Sequence, residues 1–252
     1  MANPLRAWTG STLQKISRSV RRAFTAPKSA DSSSYKQTWD SLAESYADAK
    51  RFVAGYEDEA QFELTARHTV DILEKYAGIK SSDVALEIGC GVGRVGKVLS
   101  KRVTTWIGTD ISRNMLAYAA ERLKGLDNCE LKELGTVGLK EISDQSVDLV
   151  YCTVVFMHLH EWDRYKYVAE AHRVLKPGGR LYCDNVDITS SLGWKMFADA
   201  ATYPPKERPS YLPMLSSADE LRVYGTKAGF ASVRIEQFDD SWLALIARKA
   251  PA

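Results

Sequence analysis

The sequence predicts an α/β protein organised on a doubly wound, mostly parallel sheet of seven strands. Three observations carry this. From residue 84 onward, short apolar runs alternate with stretches of helical periodicity, which is the pattern of successive strand and helix units. The first run, Val84–Ile88, passes into three alternating glycines, Gly89, Gly91 and Gly93, before Val95, Val98 and Leu99 recur at helical spacing. Two alternating runs, 231–238 and 241–248, then close the chain as a hairpin-like pair. A length of 252 residues suits one such domain with additions.

Taken in order, the chain opens with a basic extension, residues 1–34. Six of the 34 basic residues and none of the 32 acids fall within residues 1–30, so the other 222 residues hold 28 basic against 32 acidic side chains. A mildly acidic body argues against a nucleic-acid groove. Between Ser11 and Phe24 a helix would set Leu13, Ile16, Val20 and Phe24 against Lys15, Arg18, Arg21 and Arg22. Three readings stand open for this segment: a tail or packing helix, a membrane-surface helix, and a targeting peptide. Ala30–Ser34 reads as a polar linker to a main domain spanning 35–252. Trp39, Leu42, Ala43 and Tyr46 space as one helix, and Glu59–Tyr76 as a second with Leu64, His68, Ile72 and Leu73 inward.

Strands are expected at 84–88, 105–110, 129–133, 147–152, 180–183, 231–238 and 241–248. Ser112 caps the helix after the second strand, and a helix over 161–176 should bury Tyr165, Val168, Ala169, Val174 and Leu175 until Pro177-Gly178-Gly179 stops it. Ser217 with Glu220 reads as a capping box for a helix ending near Gly229. Residues 189–215 interleave Trp194, Phe197, Tyr203 and Tyr211 with four prolines and with Lys195, Lys206 and Arg208, and read as a substrate lid whose cations meet an anionic or polar acceptor, or as packing on the domain edge.

The glycine turn sets the chemistry. Free N–H groups and a positive helix end there suit a nucleotide-type ligand. A dinucleotide fingerprint needs a sixth-position glycine, where this chain has Arg94, and Glu87 at the mouth repels a pyrophosphate but attracts a cation. Asp110, ending the second strand, stands where ribose hydroxyls are gripped. The ligand should carry a ribose and a positive charge and lack phosphates.

The stretch E-I-G-C-G-V-G-R at 87–94, G-T-D-I-S-R-N-M-L at 108–116 and R-V-L-K-P-G-G-R-L at 173–181 resemble the class I S-adenosylmethionine-dependent methyltransferases. The likeness covers roughly residues 35–249, and the run around Asp148–Leu159 resembles the small-molecule (type 11, ubiquinone-biosynthesis-like) branch. The resemblance implies a Rossmann-like sheet with its last strand antiparallel, a methyl donor as cofactor, and a small-molecule substrate. It implies a cofactor site built from Tyr46, Glu87, Gly89, Cys90, Gly91, Gly93, Asp110, Ile111, Met115, Leu134, Gly135, Cys152 and Thr153. Where many relatives place an aspartate for the adenine amine, this chain reads Leu134-Gly135-Thr136, so a backbone group should do that work. No D/N-P-P-Y/F signature follows the fourth strand, which argues against nucleobase amines and glutamine amides as acceptors.

Catalytic candidates are His158, which titrates near neutrality and can take a proton from a hydroxyl, and Asp184, which emerges with Asn185 and Asp187 at the carboxyl end of the fifth strand. His158 as an anchor of its turn, and capping by the acids, are the structural alternatives. His158 and His160 lack a carboxylate–histidine set at metal spacing, so no metal is expected. Cys90, Cys129, Cys152 and Cys183 are widely spaced and fall on or just after strands, as in a reducing, cytoplasmic setting, with membrane association through residues 11–24 as the alternative. The expected activity is methyl transfer to a small-molecule hydroxyl on a sugar, lipid-linked or secondary-metabolite scaffold. Transfer to nitrogen or carbon, an NAD-dependent oxidoreductase, and a non-catalytic cofactor-binding module are the rivals. The sequence does not fix an oligomeric state.

Overall fold

The computed structural model describes residues 32–209 and 211–252. Residues 11–24 and the readings placed on them lie outside this range. Three helices precede the sheet: α1 (Ser32–Leu42), α2 (Tyr46–Ala54) and α3 (Glu59–Tyr76). The linker expected over Ala30–Ser34 gives way to α1 at Ser32. The single helix expected to run through Tyr46 breaks at 43–45, because the Ser45 hydroxyl accepts the Asp48 N–H at 3.1 Å and starts α2. In α3 the buried stripe is Phe62, Ala66, Val70 and Leu73, whereas Leu64 is exposed. The apolar spacing admitted two faces, and Phe62 decided which one turned inward.

Seven strands follow: β1 (Val84–Ile88), β2 (Thr105–Asp110), β3 (Cys129–Glu133), β4 (Val147–Cys152), β5 (Leu175–Val186), β6 (Ser232–Phe238) and β7 (Trp242–Arg248). Their order is β3-β2-β1-β4-β5-β7-β6. Pairing is parallel except where β7 meets β5 and β6. The expected topology is therefore present, with β5 longer than the run at 180–183 because Pro177-Gly178-Gly179 lies within it. Arg180 ion-pairs with Asp83, both buried, and ties the start of β5 to the residue before β1.

Period-2 alternation divides the core. Leu86, Ile88, Val150, Cys152, Leu181 and Cys183 face α6 (Glu161–Val174) and α8 (Ala218–Lys227), while Ala85, Trp106, Leu149, Tyr151 and Tyr182 face α3. In α6 the buried residues are Arg164, Tyr167, Val168, Ala171 and Val174; Tyr165, expected inside, is exposed, and Ala169 is half-buried. Trp106 is wholly buried in a slot that exists because residues 96 and 108 are glycines, since a Cβ on either would overlap its indole ring. Burying a ring of this size stabilises the fold by roughly 4–6 kcal/mol.

Neighbouring strands run in opposite sequence directions on either side of the β1/β4 boundary, so a crevice opens there at the carboxyl end of the sheet. The loop after β1 leads to α4 (Gly96–Leu99), and α5 (Arg113–Arg122) follows β2, its first turn capped by Ser112 accepting Met115 N–H. In the remaining connection, α7 (Ser191–Ala201) follows β5 and α8 opens on Ser217, which accepts Glu220 N–H. Glu220 completes no reciprocal box; its carboxylate takes the buried Arg164 and Tyr224.

Candidate functional site

The crevice holds an open cleft of about 870 Å³, counting space continuous with solvent. Its floor is the turn after β1. Gly89 and Gly91 have φ of +68° and +53°, in the left-handed region that glycine enters freely. A Cβ on Gly91 would stand 2.8 Å from Val53, and one on Gly89 would overlap Val155, so both positions keep the cleft open by lacking a side chain. Gly93 is different. It does not line the cleft, and a Cβ there would crowd Ala119 and Leu123 at 3.3 and 3.2 Å, so it serves the packing of α5.

Asp110 ends β2 and turns into the cleft while 8% exposed. Its carboxylate accepts Gly91 N–H at 2.8 Å and Ser112 N–H at 2.9 Å, which fixes the glycine turn against the next helix. Burial pushes its pKa up to about 6, against the pull of those backbone N–H groups. Ile111, Met115, Leu134 and Val137 form an apolar wall beside it.

Glu87 projects from β1 onto the α3 side of the sheet, where it is 3% exposed. The Tyr151 hydroxyl donates to its carboxylate at 2.6 Å, and Trp106 Nε1 donates to that hydroxyl at 2.7 Å. Burial raises the Glu87 pKa to about 8, with Tyr151 and the Arg94 guanidinium pulling it back. Arg94 itself is buried, donates to the Thr65 and Thr69 hydroxyls of α3 and lines the cleft. It is the one Lys or Arg among the described residues that does so. An acid, a buried cation and a polar Asp at the mouth of an otherwise apolar cleft suit a nucleoside carrying a charged amino-acid end, and lack the basic cradle that a pyrophosphate requires.

On the other side stand Thr153, Val154, Val155, His158 and Leu159, with Tyr35 and Trp39 of α1, Phe52 of α2 and Tyr167 of α6. The His158 ring lies edge-on to Trp39, with centroids 4.9 Å apart. One ring nitrogen bonds the backbone of Tyr211, and Nδ1 has no partner. Burial lowers the His158 pKa to about 4, so the ring is neutral at physiological pH, with Nδ1 enclosed in the wall of the cleft.

Of the residues expected in the site, Glu87, Gly89, Cys90, Gly91, Asp110, Ile111, Met115, Leu134, Thr153 and His158 line the cleft. Five others do not. Tyr46 packs on Tyr118 with centroids 5.3 Å apart, and its hydroxyl accepts from Arg122 at 2.7 Å, because it begins α2 on the side away from the crevice. Gly93 packs α5, and the Gly135 N–H is engaged by Glu141 at 3.1 Å. Cys152 is sealed in the core opposite Cys183. Asp184 is buried behind the cleft, its carboxylate accepting Val154 N–H at 2.7 Å, so it is placed to act on the chain rather than on a bound molecule. Among the described residues of 189–215, the expected lid, none lines the cleft, although the Tyr211 backbone bonds the His158 ring, and Trp194 and Phe197 are 60% and 45% exposed on α7. The aromatic wall comes instead from Tyr35, Trp39, Phe52 and Tyr167, of which the spacing of Tyr35 with Trp39 was the available signal. Among the described residues no group of His, Cys, Asp or Glu is arranged to hold a metal ion.

Residues 86–183 match a family described as a methyltransferase domain. Phosphoethanolamine N-methyltransferase 1 of Triticum aestivum is 27% identical over 204 residues, covering 79% of this chain and 37% of that protein. The chain spans 42% of an uncharacterized 37.1 kDa protein of Streptomyces fradiae, and 37% and 36% of the phosphoethanolamine N-methyltransferases of Triticum aestivum and Arabidopsis thaliana that it matches. Among solved structures, magnesium protoporphyrin IX methyltransferase from Synechocystis PCC 6803, with S-adenosylhomocysteine bound, superposes with a TM-score of 0.64 at 18% identity, covering 87% of this chain and all of that one (100%). Phosphoethanolamine N-methyltransferase 2 of Haemonchus contortus, with S-adenosyl-L-methionine, gives 0.67 at 18% identity, covering 89% of this chain and 61% of that one.

Proposed function

We propose that this chain, which carries a class I S-adenosylmethionine-dependent methyltransferase domain, methylates a hydroxyl of a small, uncharged and largely apolar molecule. The lining fits the cofactor: Asp110, whose two oxygens each accept one backbone N–H, keeps a second lone pair on each for ribose hydroxyls, Glu87 is a carboxyl that an arriving positive charge draws into its ionised form, and the wall of Ile111, Met115 and Leu134 suits an adenine face. When bound, S-adenosylmethionine supplies a methyl group already activated on a sulfonium.

The remaining work falls to the protein. Trp39, Tyr35, Phe52 and Tyr167 exclude water and hold an apolar acceptor in register, which lowers the barrier through orientation alone. His158 carries the choice of oxygen. Its ring lines the cleft and is neutral at working pH, and Nδ1, enclosed without a partner in the ligand-free chain, accepts the proton that a hydroxyl must shed as it is alkylated once the acceptor has moved aside the groups that cover it. Among the described residues a phosphate-bearing acceptor finds less support, because the one cation that lines the cleft, Arg94, is directed to Thr65, Thr69 and Glu87, and Lys195, Lys206 and Arg208 lie off it.

The test is turnover with methyl-labelled S-adenosylmethionine against matched phenols, alcohols and amines of one apolar scaffold, with the product read by mass spectrometry and NMR. Label on oxygen supports the reading. Label on nitrogen alone, or no transfer by a protein that binds the cofactor, overturns it.

A further inference from the structure

Val154 holds an unusual conformation. It is a β-branched residue with φ of +63°, beyond the end of β4 and on the wall of the cleft. Other non-glycine residues in this region, Gln145, Asp239 and Asp240, sit in turns between elements, where polar side chains tolerate it. For valine the left-handed region is strained, so something must hold it.

The holder is on the neighbouring strand. Cys152 and Cys183 are paired in register where β4 ends, while β5 runs on through Asp184, which pairs with Ala244 of β7 and lies beside the chain leaving β4. Asp184 is 5% exposed and accepts the Val154 N–H at 2.7 Å with one carboxylate oxygen. The Tyr182 hydroxyl, on the same face of β5, meets the other oxygen at 3.3 Å. Val155 follows directly, and its side chain fills the space that a Cβ on Gly89 would need. The left-handed turn at Val154 thus seats Val155 against the glycine floor and Thr153 on the opposite wall.

We infer that Asp184 is a positioning residue, whose hydrogen bond to Val154 fixes the 153–155 turn and thereby shapes the cofactor cleft. The inference rests on the reading that this cleft binds S-adenosylmethionine. It replaces direct contact with substrate, since Asp184 does not line the cleft. Burial pushes the Asp184 carboxyl up to about 7, so the amide of Asn is a close stand-in for a group that is partly protonated at neutral pH and still accepts from Val154.

The experiment titrates S-adenosylhomocysteine into the full chain by calorimetry, with melting curves of the ligand-free proteins alongside. Wild type, Asp184→Asn, Asp184→Ala, Val154→Gly and the Val154→Gly/Asp184→Ala double variant are compared. Asp184→Asn keeps affinity within threefold, and Asp184→Ala loses at least tenfold. Glycine adopts the turn without strain, so in the Val154→Gly background the same Ala substitution loses less than threefold. A merely structural aspartate would lower affinity and melting temperature alike in both backgrounds, which overturns the inference. So does an Asp184→Ala protein with unchanged affinity, or an Asp184→Asn protein as impaired as Asp184→Ala. If Asp184→Ala fails to fold, a loss of affinity in folded Asp184→Asn refutes the clamp and retention supports it. Failure of wild type to bind S-adenosylhomocysteine strikes the functional reading itself and is separable from all of these.

Discussion

Replacing Glu87 with Gln should remove a large part of the pH dependence of folding. In the native chain burial lifts the Glu87 pKa to about 8, whereas an unfolded chain ionises it near 4.5. Between these values the native state keeps a proton that the unfolded state has lost, so stability falls as pH rises through this window. From pH 5.5 to 7.5 the native carboxyl stays mostly protonated and the unfolded one is ionised, and at up to about 1.4 kcal/mol per pH unit Glu87 alone withdraws about 2.5 kcal/mol. Glutamine mimics the protonated group and still accepts from Tyr151, so the variant should fold with that slope removed. Asp184 and Asp110, also raised by burial, contribute slopes of the same sign that remain in both proteins. Urea unfolding of the ligand-free proteins at pH 5.5 and 7.5 measures the difference directly. Parallel slopes for wild type and Glu87→Gln would show that the carboxyl is ionised in the folded chain, and the account of the cleft's charge would fall with it.

Three further outcomes follow from the site. Asp110→Ala strands the N–H groups of Gly91 and Ser112, at about 1–3 kcal/mol each where water cannot replace the carboxylate, and should weaken S-adenosylhomocysteine binding at least tenfold in calorimetry; an unchanged affinity would misplace the ribose site. His158→Ala should lower turnover by about 10²–10⁴ while leaving S-adenosylhomocysteine affinity within threefold, and the wild-type rate should rise with pH through about 4 and stay level above it, so a rate still climbing through pH 6–7 argues against His158 as the base. Gly108→Ala drives a methyl into the Trp106 ring and near Cys90 Sγ at 2.9 Å, and should cost about 1–3 kcal/mol in denaturant unfolding; wild-type stability would mean that the slot is looser than its geometry.

The central strands were legible because buried parallel strands leave apolar runs, and the glycine turn because glycine enters the left-handed region freely. Val84–Ile88, Thr105–Asp110 and Val147–Cys152 appear where the pattern put them, as does the charged edge strand Cys129–Glu133. What the pattern lacked was direction. Tyr46 and Trp39 are both aromatic residues on N-terminal helices, and only the cap at Ser45 rotates one onto Tyr118 and leaves the other on the cleft. Asp184 was visible as an acid at the carboxyl end of a strand, but the pleat that puts it on the same face as Tyr182 turned it inward. Residues 189–215 have the composition of a lid, yet composition carries no position: α7 leaves Trp194 and Phe197 exposed, while Met214 and Leu215 are tied to the buried Arg164.

The slot around Trp106 has a practical consequence. Its indole N–H reaches Glu87 through a single hydroxyl, so any change in the charge of that carboxyl alters the electric field along the ring. The protein therefore contains its own optical reporter, wired by two hydrogen bonds to a carboxyl that lines the cleft. Replacing the other five tryptophans would isolate its emission, and ligand arrival could then be followed in real time without attaching a dye.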